Sequence, residues 1–132
     1  MKNCDLPDFG EAQILAEILA CGWANLTTIE KITEQTIYVI RVISSFVTFY
    51  KAVIPIAYWR ELKRGVPQNE SIRILRWPPE NGKKSGLDLA VPNERFCILE
   101  GIIKIRDFLL QSVSEQQPAE KPNKWKGKMR TL

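Results

Sequence analysis

One run constrains this chain more than any other. "TIYVIRVISSFVTFYKAVIPIAYW", Thr36 to Trp59, is almost unbroken in apolar and β-branched residues. Three structures can absorb it: a membrane span, a pair of strands, or a helix enclosed by a core. Propensity favours strands, because Val, Ile, Thr and aromatic side chains suit a pleated surface. The polar positions favour a helix. Glu30, Lys31, Glu34, Tyr38, Arg41, Ser44, Ser45, Thr48 and Lys51 recur at helical intervals and draw one narrow stripe. As a continuous strand, the run would put Arg41, Ser45 and Lys51 on one face while Ser44 and Thr48 interrupted the other. No Asn-Gly or Asp-Gly pair marks a hairpin turn within it. The pattern predicts a long, nearly encircled core helix.

A bilayer span needs ~20 mainly apolar residues. Residues 36–59 have the length, but Arg41 and Lys51 lie inside them. Each would cost about 2.5 to 3.5 kcal/mol near the bilayer centre. Membrane association through residues 36–59 is therefore the lesser reading.

The flanking segments read as further helices and one hairpin. Asp8 with Glu11 resembles a capping box and opens the first helix. Ile14, Leu15, Ile18 and Leu19 form its apolar face, and Gly22 is placed to stop it. Thr27 with Glu30 repeats the cap signal and opens the long helix. Pro55 starts a short helix that ends at Lys63, Arg64 and Gly65. Beyond Gly65 the period becomes two. "SIRILRW" sets Ile72 and Ile74 against Arg73, Leu75 and Trp77, and "GLDLAV" aligns Leu87, Leu89 and Val91. With the polar loop "PPENGKKSG" between them, the two segments predict an antiparallel hairpin near 71–91. Asn93 caps a last helix, with Phe96, Leu99, Ile103 and Leu110 facing inward and Glu94, Glu100, Lys104, Asp107, Gln111 and Ser114 facing water. From Glu115 the apolar period is lost.

The expected fold is mainly α: a small bundle of three to four helices with one short β-hairpin. It forms a single domain over 1–114, followed by a flexible basic tail over 115–132.

Composition narrows the function classes. The chain has no histidine, which removes Ser-His and Cys-His nucleophile pairs and the usual zinc hydrolase sites. Cys4, Cys21 and Cys97 form neither a C-x-x-C nor an even set, so no disulfide framework or metal cage is expected. Cys21 and Cys97 read as small core hydrophobes. "MKNCDLPDFGEAQ" has acids where a secretion signal needs a basic and then an apolar stretch. The expected setting is intracellular and soluble, cytoplasmic or nucleoid-associated. No cofactor is implied, and the expected protein is not an enzyme.

Charge is unevenly placed. Met1–Trp59 holds four Lys/Arg against six Asp/Glu, and Arg60–Leu132 holds fifteen against nine. The parts net −2 and +6, so the cationic character lies in the C-terminal part. Tryptophans sit among these cations: Trp59 precedes Arg60, Lys63 and Arg64, Trp77 follows Arg73 and Arg76, and Trp125 lies between Lys124 and Lys126. Single-stranded nucleic-acid binders need both components, cations for phosphates and flat rings for bases. "NGKKSG" adds Lys83 and Lys84 in the hairpin loop but lacks the spacing of a phosphate-binding loop. Core tryptophans beside ordinary surface charges, and an anionic membrane surface, are the competing readings of the same residues.

"SIRILRWPPENGKKSGLDLAVPNERFCILEGI", Ser71 to Ile102, resembles the strand–loop–strand–helix end of the positive-cofactor type of transcriptional coactivators, which bind single-stranded DNA. The shared features are an I-R strand, a Gly/Lys-rich loop, a G-[apolar]-x-L strand, and a helix opening with an acid before an aromatic. The resemblance covers about a quarter of the chain and implies that Arg73, Trp77, Lys83 and Lys84 lie near the nucleic acid. It stops at Ser71, since the preceding segment reads as helix where that family has strands.

The sequence thus predicts a non-catalytic nucleic-acid-binding or accessory protein, its partner single-stranded DNA or RNA. The alternatives are a protein–protein adaptor or small subunit, with a protein partner or a homo-oligomer, and a membrane-associated protein through residues 36–59.

Overall fold

The computed structural model describes residues 9–30, 32–79 and 86–116. Along them run α1 (Phe9–Ile29), β1 (Gln35–Ile43), β2 (Phe46–Ile54), α2 (Ile56–Leu62), β3 (Arg73–Trp77), β4 (Leu87–Asp88) and α3 (Pro92–Gln116). The chain divides into two compact units, Met1–Arg95 and Phe96–Leu132. The first holds a four-stranded antiparallel sheet and the first two helices.

The run at 36–59 is not one helix. It is a β-hairpin followed by α2, and the mainly α bundle gives way to helices on a sheet. The physical reason is a reversal of parity. β1 and β2 pair from Gln35↔Ile54 to Ile43↔Phe46 around a two-residue turn, Ser44–Ser45. That turn puts odd-numbered residues of β1 on the same face as even-numbered residues of β2. Arg41 and Lys51, which one continuous strand would align, therefore lie on opposite faces. Ser44 takes the positive φ of 54° that a Gly or Asn usually supplies, so the turn lacks the expected residues.

One face of the sheet packs against α1. Ile14, Ile18, Gly22 and Leu26 form a single buried i,i+4 row along that helix. Ile14, Ile18 and Leu26 belong to one cluster with Ile37, Tyr50, Ala52, Ile54 and Trp59, and Ile72 and Ile74 pack at its edge. Gly22 does not end α1, which continues seven residues further to Ile29. A Cβ at Gly22 would lie 2.6 Å from the Trp59 ring and 3.1 Å from Ile37 Cδ1. The glycine is there for close approach. Thr27 opens no second helix: its hydroxyl donates to the Ala24 carbonyl inside α1, and Glu30, at φ 56°, follows the helix end. Cys21 is exposed and Cys97 half-buried, so neither is a core residue.

Pro55 precedes α2 in extended backbone, one position earlier than expected, and Gly65 beyond α2 has φ 139°. β3 alternates as its sequence predicts. Its partner is different, because β3 and β4 do not form a hairpin; both pair with β2. From Trp77↔Phe49 to Leu87↔Val47 the register advances two residues on β2 (49 to 47) and ten along the chain (77 to 87). β3 and β4 are thus two pieces of one interrupted edge strand. Gly86 (φ 99°) adjoins Val47 so closely that a Cβ would meet its carbonyl oxygen at 2.5 Å. The Trp77–Pro78 peptide is cis.

α3 begins with Pro92, so Asn93 lies in its first turn rather than capping it. The Val91 carbonyl accepts from Arg95 N at 2.8 Å, while the Glu94 carboxylate accepts from Asp88 N at 2.7 Å. In the second unit, Phe96–Gln116 continues as helix. There Ile98 is buried, yet Phe96, Leu99, Ile103 and Leu110, the face expected inward, are all exposed. Residues 117–132, most of the expected tail, lie outside the described residues. No helix among the described residues is long and apolar enough to cross a membrane.

Candidate nucleic-acid interface

The sheet face opposite α1 is built in transverse rows by the register. Thr36, Val53 and Arg73 form one row; Tyr38, Lys51 and Leu75 the next; Ile40, Phe49 and Trp77 the third; Val42, Val47 and Leu87 the last. Neighbouring strands lie ~4.8 Å apart, and successive rows on one face ~7 Å apart. Val47, Phe49 and Leu87 are buried. Arg73, Leu75, Trp77, Ile40, Val42 and Val53 are exposed, Trp77 at 44%.

The chemistry of this face is aromatic and cationic. Trp77 lies against Phe49 with ring centroids 5.6 Å apart and planes at 44°. That contact supports one side of the indole and leaves part of it to solvent. Lys51 Nζ sits 5.8 Å from the centre of the Tyr38 ring. Arg73 is at one end of β3 and Trp77 at the other, ~13 Å apart along the strand. Among the described residues this face contains no Asp or Glu.

The structure separates the residues that sequence reasoning grouped. Arg73 and Trp77 share the face above. Arg76 points the other way, pairing in register with Tyr50, and lines a small cleft of about 120 Å³ with Glu11, Ile14, Tyr50 and Ile74. Arg60, Lys63 and Arg64 are exposed at the C-terminal end of α2. Lys63 contributes to a separate cleft of about 280 Å³ with Trp23, Leu26, Thr27, Glu30 and Ile32. Trp59 is fully buried, 6.2 Å from Trp23, and offers no stacking surface. Lys83, Lys84, Lys124, Trp125 and Lys126 lie outside the described residues.

Tyr38 and Lys51 were missed as members of the site because the sequence reading put them on the polar stripe of a helix. The signal for them was parity: read as two strands reversed at Ser44–Ser45, the even residues of β1 and the odd residues of β2 fall on one face.

The electrostatics elsewhere in the unit serve structure. Glu61 Oε2 accepts from three consecutive backbone N–H groups, Gln68 at 3.0 Å, Asn69 at 3.1 Å and Glu70 at 3.2 Å. Desolvation pushes this carboxyl up, but the backbone donors of Asn69, Glu70 and Gln68 outweigh it and leave the group below its ordinary value. The carboxylate fastens the connection from α2 to β3 and so positions the start of the strand carrying Arg73.

Comparison with protein-family models, with characterised proteins and with solved structures finds no match to this chain. The likeness of Ser71–Ile102 to the coactivators is therefore local.

Proposed function

We propose that this protein binds single-stranded nucleic acid, without catalysis, on the sheet face that carries Tyr38, Lys51, Arg73 and Trp77. The observation supporting this reading is a face with no Asp or Glu among the described residues, on which one sheet holds an exposed indole and two cations. Phosphates would meet Lys51 and Arg73, and a base would stack on Trp77, a contact worth about 1–3 kcal/mol. The exposed cations at the end of α2 would add sequence-independent attraction. Nothing on the face suggests readout of a particular base, so the expected preference is for single strands rather than for a sequence.

The test is fluorescence anisotropy with labelled DNA and RNA oligonucleotides at low and moderate salt. The expected result is binding that weakens with salt, falls about 5- to 150-fold in Trp77→Ala, and has a salt slope reduced by about one in Arg73→Glu. Absence of binding at low salt, or binding indifferent to both substitutions, defeats this reading. A second reading, a protein adaptor or small subunit, is favoured by the apolar share of the same face. Ile40, Val42, Val53 and Leu75 are all exposed there.

A further inference from the structure

Where α1 and α2 end, the first unit holds a cleft of about 280 Å³, lined by Trp23, Leu26, Thr27, Glu30, Ile32 and Lys63. That is just below the ~300–1,000 Å³ of sites that enclose drug-sized ligands, so the space suits a small molecule. It shares no residue with the sheet face that carries Arg73 and Trp77.

The cleft combines a flat apolar wall with one charge of each sign. Leu26 is buried in the core cluster, and Ile32 packs against that cluster. Trp23 is 43% exposed and is backed by the buried Trp59, their ring centroids 6.2 Å apart. The Thr27 hydroxyl donates to the Ala24 carbonyl, which leaves its oxygen lone pairs as acceptors. Glu30 and Lys63 line the same cleft without pairing with each other, and neither has an ion-pair partner among the described residues. Glu30 is also set against the ordinary rule for helix ends. It directly follows α1, at the pole where the macrodipole is negative and a carboxylate is repelled. The last turn of α1 holds no basic residue to offset it.

Charge selects the ligand. An anion would gain from Lys63 but be repelled by Glu30 and the helix pole. A cation would gain there and be repelled by Lys63, and a neutral molecule would use neither. We propose that this cleft binds a small zwitterion with a flat apolar body, the chemical class of a free aromatic amino acid. The carboxylate meets Lys63. The ammonium meets Glu30 and the negative end of α1, and the ring lies against Trp23, Leu26 and Ile32.

The test is isothermal titration calorimetry of the full-length chain with L-phenylalanine and three relatives, each lacking one element of it. Phenylethylamine lacks the carboxylate, phenylpropionate lacks the ammonium, and L-alanine lacks the ring. L-Phenylalanine is expected to bind saturably, and loss of either charge to weaken binding about five-fold. Loss of the ring, from the ligand or in Trp23→Ala, is expected to weaken it at least about 2- to 12-fold. Lys63→Gln should erase the preference over phenylethylamine alone, and Glu30→Gln the preference over phenylpropionate alone. Trp77→Ala should change neither, and circular dichroism is the folding control for each variant. Because Trp23 packs on Trp59, the ligand series on the native chain stands independently of Trp23→Ala. No saturable binding of L-phenylalanine would overturn the proposal. So would equal binding of either singly charged relative, or preferences that survive Lys63→Gln and Glu30→Gln.

Discussion

The carboxylate of Glu61 holds three successive backbone N–H groups, and its pKa is depressed in the folded chain. A group depressed on folding contributes stability above its unfolded pKa and loses it as pH falls through the folded value. Amide exchange at Gln68, Asn69 and Glu70 is therefore expected to accelerate as pH drops below the ordinary glutamate range, after correction for intrinsic rates. Glu61→Gln should show less protection at neutral pH and none of that acid-dependent loss. Gly22 makes a contrasting prediction. Alanine would gain about 1 kcal/mol of helix propensity, yet its Cβ would lie 2.6 Å from the Trp59 ring. Overpacking of this kind costs about 1–3 kcal/mol, so urea denaturation of Gly22→Ala should show a net loss. Gln35 is a third position whose role comes from contact. It donates from Nε2 to the Gly22 carbonyl at 3.0 Å and accepts from Asn25 Nδ2 at 3.3 Å, tying the first residue of β1 to α1.

Among the elements, the β1–β2 hairpin governs the rest, because β2 supplies the pairing for β1, β3 and β4. Its turn is closed by Ser44 at φ 54°, a conformation costly for a residue with a Cβ. Ser44→Gly relieves about 1–2 kcal/mol of that strain against about 0.5–1 kcal/mol of added backbone entropy loss, so denaturant titration should show a net gain in stability. The same turn explains why the hairpin was hard to read. Ser-Ser is not a recognised hairpin dipeptide, and without a break the polar residues on both sides fall into one helical period. β3 was legible, since its alternation of Ile74 with Arg73, Leu75 and Trp77 needs no information about a partner. β4 was legible as extended but not as a neighbour of β2, because a two-residue strand carries too few side chains to specify pairing. The separation of Arg73 and Trp77 from Arg76 follows from β3's own period. The membership of Tyr38 and Lys51 required the register of two other strands.

At the scale of the whole molecule, the sheet face, without Asp or Glu among the described residues, and the exposed apolar side chains of α3 belong to different units and make separable predictions. Trp77→Ala should weaken oligonucleotide binding while leaving the sedimentation mass unchanged. Leu110→Glu, at an exposed position of the second unit, should leave oligonucleotide binding by the sheet face unchanged.

Local rules were sufficient for some of this protein. The start of the first helix, the stop at Gly65 and the alternation of β3 each depend on neighbours within a turn or a few residues. The absence of histidine and the cationic C-terminal part also narrowed the chemistry. Tertiary structure decided the remainder. Gly22 lies in mid-helix because an indole approaches it, and the apolar run from Thr36 divides because its halves satisfy each other's backbone. The interrupted edge strand exists because β2 is longer than β3. Phe96, Leu99, Ile103 and Leu110, expected inward, stand exposed on α3 because periodicity specifies which side chains share a face, whereas only packing specifies what that face meets.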